Sequence, residues 1–257
     1  MRYLDFGRIL LGLGLVGLGV LSYIFGKFAL QWQPVPDGLP HILAYGNGAI
    51  LLVGGGGLLL SRRTAAPLAL LLTGYLALWV VVQAVNDIAH PLDVGANLGL
   101  FEDLALMCGA WLAYAATADD GIAFLKGANG LMAARILFGI ACLIFGLSHF
   151  LYADFTAQMV PAFLPYHLPL AYITGAGHFA AGLALISGVL SRLAAVCEAI
   201  MMSLFVVLVH IPMVVTPPPV DMVQLFWTML CVAGALSGSA WLLAASLKDR
   251  PLGLAQR

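Results

Sequence analysis

Three histidines are candidates for chemistry because each lies within or beside a long apolar segment. They are His149, His178 and His210. Ionisable groups inside a membrane span are costly, and by default they mark functional sites. Imidazole nitrogens are suitable ligands for haem iron, copper or zinc. They also suit hydrogen bonding to a quinone carbonyl, or proton passage during quinol oxidation, because histidine titrates near neutrality. Packed in one four-helix bundle, the three side chains can converge as a cofactor pocket or a metal ligand set.

A second group of polar residues lies around the third and fourth apolar segments and gives further site candidates. Its members are Asn86, Asp87, His90, Glu102 and Asp103. The two acids come near the start of a helix, where the helix dipole favours a negative charge, so we expect a cap-like role for them. A proton or cation site shared with Asn86, Asp87 and His90 is the alternative.

Structural interpretations compete for the other polar groups. His149 and His210 also fit interfacial positions wetted by headgroup water, and His178 fits a hydrogen bond to a neighbouring helix. Glu198, six residues past Arg192, is interpreted as half of a surface ion pair near the inner surface. Two further arginines, Arg8 and Arg135, are interpreted as side chains that extend to lipid headgroups.

The amino-acid composition indicates that the elements carrying these residues are membrane helices. Of the 257 residues, 62% are hydrophobic and 9% are charged, whereas soluble domains average about 45–50% apolar and about 25% charged residues. So few charges exclude a water-soluble domain. The net charge of −1 and the absence of a basic patch argue against nucleic-acid binding. The four cysteines form no CxxC pair, so neither a disulfide framework nor a structural zinc site is expected.

Eight apolar runs are long enough to cross a bilayer, which needs about 20 residues per helix. Of the 11 lysines and arginines, 10 fall on the side of the two termini and one, Lys27, on the other. By the positive-inside rule both termini are predicted to be cytoplasmic, in a bacterial inner membrane. The predicted spans are residues 7–28, 41–60, 66–86, 97–117, 132–152, 168–189, 193–214 and 222–246.

An internal repeat divides the chain. One constant shift of the sequence aligns residues 8–10 (Arg-Ile-Leu) with residues 135–137, and residues 43–45 (Leu-Ala-Tyr) with residues 170–172. Four helices per unit mean that both units insert in the same direction, related by a pseudo-two-fold axis along the membrane normal. We therefore predict an all-α integral membrane protein of two parallel-repeat four-helix bundles. The predicted units are residues 1–118 and 131–257, joined by a cytoplasmic linker at 119–130.

Several short motifs resemble those of the DoxX/DoxD-like membrane proteins. They are residues 146–150 (GLSHF), 154–155 (DF), 160–161 (VP), 164–165 (LP), 172–175 (YITG) and 97–109 (NLGLFEDLALMCG). The resemblance implies a four-helix family unit, present here in tandem. It also implies a redox association, since the family is named after a thiosulfate:quinone oxidoreductase, while other relatives are accessory subunits. Many relatives carry a glutamate in the second helix where this chain has His178.

The resulting hypothesis is a DoxX-like redox-associated or accessory subunit. An outer-leaflet pocket around the three histidines would hold a quinone, a haem or a metal, and a partner redox subunit is implied. An enzyme acting alone on a soluble substrate is not expected, because the loops are short. The alternatives are a small-solute or ion transporter or channel, and a non-catalytic membrane scaffold for a partner complex.

Overall fold

The protein is an all-helical, multi-pass membrane protein. The computed structural model describes residues 2–36, 38–86, 88, 91–216 and 219–253, and this part of the chain contains no β-strand. Eight segments in it are long and apolar enough to cross a membrane, which confirms the prediction of eight spans. The helices are α1 (Arg2–Phe25), α2 (His41–Leu59), α3 (Arg62–Asn86), α4 (Leu98–Thr117), α5 (Ala123–Lys126), α6 (Ala128–Leu151), α7 (Ala153–Met159), α8 (His167–Ser187), α9 (Ser191–Phe205), α10 (Ile211–Val215) and α11 (Val223–Ser246).

Consecutive spans run in opposite directions, so the bundle has two ends. We call the end at which α1 begins and α11 ends the terminal end. The opposite end, at which α1 ends and α2 begins, is the distal end. Short connections occupy both ends. The predicted linker at 119–130 contains the short helix α5 and the first residues of α6, and it lies at the terminal end.

The first span of each half packs against the last span of the other half. Helix α1 contacts α2 and, most extensively, α11, while α6 contacts α8 and also α4. Helices α4 and α11 contact each other and are the most buried spans, so they form the centre around which the other spans lie. Contacts between α1 and α4 are few. Each half is therefore packed against a helix of the other half, α1 against α11 and α6 against α4.

Glycine pairs allow the closest helix contacts. A Cβ atom on Gly19 of α1 would lie 2.8 Å from the carbonyl oxygen of Gly48 on α2. A Cβ atom on Gly146 of α6 would lie 2.8 Å from the carbonyl oxygen of Gly175 on α8. Small residues are the usual means of close approach between membrane helices, because lipid tails supply no hydrophobic drive for association. The shift that aligns the two halves of the sequence superposes both partners of one contact on both partners of the other.

The seventh span is not a continuous α-helix, although the sequence predicts one over 193–214. A π-helical turn at Val206–His210 separates α9 from α10. Pro212 follows directly, and proline has no N–H to donate to the carbonyl one turn earlier. The π-helical turn directly precedes this missing donor, and single π turns within α-helices are rare and frequent at functional sites. His210 is the last residue of this turn.

Candidate functional site

A buried histidine–glutamate pair lies at the centre of the candidate site. Nδ1–H of His178 on α8 donates a hydrogen bond of 2.8 Å to Oε1 of Glu198 on α9. Each residue is only 1% exposed. The interpretation of Glu198 as a surface ion pair with Arg192 is therefore wrong. Glu198 lies two helical turns after Ser191, the first residue of α9. His178, on the antiparallel helix α8, lies at the same depth in the bundle.

The glutamate has spare acceptor capacity. Its second carboxylate oxygen, Oε2, is buried and makes no hydrogen bond. The thiol of Cys142 on α6 lies near Glu198 as a weak potential donor, but no hydrogen bond of normal geometry joins it to Oε2. An unpaired carboxylate oxygen in a low-dielectric environment is costly, so an oxygen of this kind requires an explanation beyond packing.

His149 lies beside this pair and contacts α8 through Nδ1. Its ring centroid is 5.1 Å from that of His178. Nδ1 of His149 is 2.9 Å from the Thr174 hydroxyl and 3.3 Å from the carbonyl oxygen of Ala171. Because the Thr174 hydroxyl donates to the carbonyl of Leu170, both neighbours of Nδ1 accept. These partners favour the tautomer with the proton on Nδ1 of His149, which leaves Nε2 of the neutral ring as an acceptor.

Aromatic side chains surround the two imidazoles. The ring of Phe205 is 6.0 Å from that of His149 and 5.7 Å from that of His178, and the ring of Phe145 is 5.8 Å from that of His178. These walls keep the polar groups in an apolar environment, where charge interactions are stronger than in water. We call His149, Thr174, His178 and Glu198 the His–Glu cluster.

The third predicted histidine does not join the cluster. His210 lies in the π-helical turn, where its Nδ1 is buried without a hydrogen-bond partner, and no ring contact joins it to His149 or His178. The described residues include no group of three His, Cys, Asp or Glu side chains that could hold a metal ion. The structure therefore brings His149 and His178 together, but it does not form the predicted three-histidine ligand set.

The secondary candidates are only partly brought together. The Trp32 indole N–H donates to Glu102, and Nε2 of Gln83 donates to Asp103 at 2.5 Å. Both acids lie in the second turn of α4 and make no cap, so the cap-like role is wrong. Asn86 is exposed at the end of α3. Two further candidates, Asp87 and His90, lie outside the described residues.

A buried amide network in the first half was not anticipated from the sequence. Asn47 donates to Ser22 at 3.0 Å and to Gln33 at 2.9 Å, while its own Oδ1 accepts from Gln33 at 2.9 Å and from the Tyr75 hydroxyl. Ser22 and Asn47 are the repeat equivalents of His149 and Thr174. The same helix pair therefore has a polar bridge at the same level in both halves. This shared position was the signal in the sequence that could have revealed the network.

Two arginines are also buried rather than extended to headgroups. Arg8 is 8% exposed and Arg135 is 6% exposed, and the Arg8 guanidinium donates to the carbonyl of Leu58 near the end of α2. Carbonyls in the last turn of a helix lack intrahelical donors, so a cation there satisfies them. The headgroup interpretation of these side chains is wrong.

The comparison with known protein families identifies the part of the chain that contains the His–Glu cluster. The DoxX family model matches residues 130–211. This range is therefore similar to the DoxX family, and we call residues 130–211 the DoxX domain. The domain includes α6 to α9 and all four residues of the His–Glu cluster, together with His210. No curated protein and no solved structure matches the chain. Residues 97–109 lie outside the matched range, so their resemblance to the family stays a prediction.

Proposed function

We propose that this membrane protein is a redox-associated subunit whose His–Glu cluster exchanges protons with a quinone held between α6, α8 and α9. One observation carries the proposal, namely a histidine–glutamate hydrogen bond inside the membrane spans of the DoxX domain whose second carboxylate oxygen is unpaired. A stabilising contact needs no unpaired acceptor, whereas a proton-accepting site does. Ionisable groups buried in a membrane by default mark such pathways.

The free acceptors of the cluster fit the hydroxyl groups of a quinol, which is the reduced form of a quinone. A quinol gives up two protons and two electrons on becoming a quinone. His149 and His178 each keep Nε2 as an acceptor when neutral, and Glu198 keeps Oε2, so the cluster can bind a hydroxyl headgroup and take its protons. The electrons would pass to a partner redox subunit. A three-histidine metal or haem site would need His210, which lies apart.

In this proposal the chain consists of two tandem units, and the His–Glu cluster lies in the second. The units would comprise residues 1–118 and 131–257 in a bacterial inner membrane, with both termini cytoplasmic. The glycine contacts and the polar bridges that recur at equivalent positions of the two halves support a duplication. The excess of Lys and Arg at the terminal end supports the orientation.

The test is cofactor analysis of the purified protein in mild detergent, with and without a change at Glu198. The measurements are the absorption spectrum, the metal content and the extracted quinone. We expect quinone in the wild-type protein, and its loss or an altered reduction in Glu198→Gln, which keeps the shape but removes the charge. Asp103→Asn is the matched control, because it neutralises another buried carboxylate outside the DoxX domain.

Three outcomes would overturn the proposal. A protein free of quinone, haem and metal would favour the transporter or the scaffold. Stoichiometric metal or a Soret band would replace the quinone with a metal centre. Equal quinone content and equal reduction in the wild-type, Glu198→Gln and Asp103→Asn proteins would place the quinone elsewhere.

A further inference from the structure

A groove at the terminal end lies between the two halves, away from the His–Glu cluster. It has a volume of about 410 Å³ and is formed by the beginnings of α1, α3 and α6 together with the ends of α4 and α11. These are the central spans and their neighbours, so the groove opens where the halves meet. The volume is within the range of about 300–1,000 Å³ that small-molecule sites occupy.

The groove changes from polar to apolar with depth, because its polar lining residues Arg62, Ser246 and Lys248 lie at or just beyond helix ends. Ala115 and Ala245 line it near the helix ends, whereas Leu112 and Leu242 line it about one turn further in. The distance from the end of α4 to Leu112 corresponds to about 7 Å along a helix, which is close to the thickness of one headgroup layer. The walls therefore pass from headgroup depth to the start of the acyl chains. Leu4 and Leu131 complete the apolar part.

Two cations stand at the mouth of this groove. Arg62, at the start of α3, and Lys248, just after α11, both line it and are exposed. Neither makes a salt bridge to an acid within the described part of the chain. Tyr3 also lines the mouth, and tyrosine favours headgroup depth, where its ring is apolar and its hydroxyl is wet. A negative charge would therefore be attracted to the mouth and an acyl chain to the walls.

We propose that this groove binds one anionic phospholipid, with its phosphate between Arg62 and Lys248 and an acyl chain along the walls of α4 and α11. Basic pockets between membrane helices bind anionic headgroups in this way. A free phosphate would use the mouth alone and would leave the apolar walls uncovered. The site is independent of the quinone proposal, since none of its residues belongs to the His–Glu cluster.

The test measures phosphatidylglycerol binding to the delipidated full-length protein in detergent. Phosphatidylcholine and inorganic phosphate are compared under the same conditions. The double variant R62Q/K248Q removes both cations, and Arg63→Gln is the matched control because this neighbouring arginine does not line the groove. One cation near an anionic surface contributes about fivefold in affinity, so we expect the double variant to bind phosphatidylglycerol about 30-fold more weakly.

The controls separate the lipid from its headgroup. We expect Arg63→Gln to bind within about twofold of the wild-type protein, and phosphatidylcholine and inorganic phosphate to bind more weakly than phosphatidylglycerol. Ala245→Phe should weaken phosphatidylglycerol binding without removing a charge, because it fills the groove. Equal binding of phosphatidylglycerol to R62Q/K248Q and Arg63→Gln would overturn the proposal. Inorganic phosphate binding as tightly as phosphatidylglycerol would overturn the lipid as occupant.

Discussion

The hydrogen bond between His178 and Glu198 predicts a large coupling energy between the two residues. His178→Leu leaves Glu198 Oε1 buried without its donor, and Oε2 is already unpaired. Glu198→Leu leaves Nδ1–H of His178 buried without its acceptor. Hydrogen bonds to charged groups contribute about 1.5–3 kcal/mol, and breaking a buried ion pair on one side costs about 3–5 kcal/mol. Neutral hydrogen bonds between membrane helices average only about 0.6 kcal/mol.

For this pair inside the membrane spans, we expect free-energy costs between those of buried ion pairs and those of neutral hydrogen bonds. We expect each single change to lower the free energy of unfolding by about 2–4 kcal/mol, with His178→Leu the more severe because it leaves a carboxylate without a partner. The double variant H178L/E198L removes both polar groups and keeps the volume apolar. We expect it to be within about 1 kcal/mol of the wild-type protein, since an apolar replacement of a buried pair is often neutral.

The assay is reversible unfolding in mixed micelles, followed by tryptophan fluorescence, on the wild-type protein and the three variants. A second cycle with Glu198→Leu and Asp103→Asn is the control, because these residues share no partner and their effects should add. Effects of His178→Leu and Glu198→Leu that add to within about 0.5 kcal/mol would refute the predicted coupling. Such a result would mean that the two side chains do not interact.

Two further predictions concern packing and the amide network. Gly146→Ala should destabilise the protein by about 1–3 kcal/mol, because its Cβ would lie 2.8 Å from a carbonyl oxygen, whereas Gly74→Ala, with nothing within 4 Å, should not. The free energies of unfolding of Gly146→Ala and Gly74→Ala test this difference, and equal values would contradict the close contact at Gly146. Asn47→Leu should cost about 1–3 kcal/mol by leaving buried partners unpaired, whereas Asn86→Leu, at an exposed site, should have little effect. Equal midpoints for these two variants would contradict the network.

The spans could be predicted from the sequence because they depend on length and apolarity alone. A run of about 20 apolar residues has few alternatives to a membrane helix, and the described helices begin and end within a few residues of the predicted bounds. The π-helical turn was missed because hydropathy does not register the hydrogen-bonding pattern. Only Pro212 within the seventh span indicated a local disturbance there.

The partners of the polar groups could not be predicted, because they depend on which helices meet and at what height. His149 and His178 were identified as buried ionisable groups in the second half, but Glu198 was assigned to the surface from its distance to the helix start. That distance is two turns, and only the packing of α9 against α8 shows that two turns suffice for full burial. An acid inside an otherwise apolar run was the available signal. Similarly, the apolar pattern of α1 does not show that this helix packs most extensively against α11 of the other half.

The contrast between the equivalent polar bridges of the two halves supports a function for the His–Glu cluster beyond helix packing. At the same level of the same helix pair, the first half has Ser22 and Asn47 where the second has His149 and Thr174. In the first half the amide of Asn47 has all its donors and acceptors paired, and none of its groups changes charge near neutral pH. In the second half the bridge is continued by an imidazole and a carboxylate, and one carboxylate oxygen is unpaired. The association of this helix pair needs only the first bridge, so the titratable groups added to the second bridge serve something other than packing.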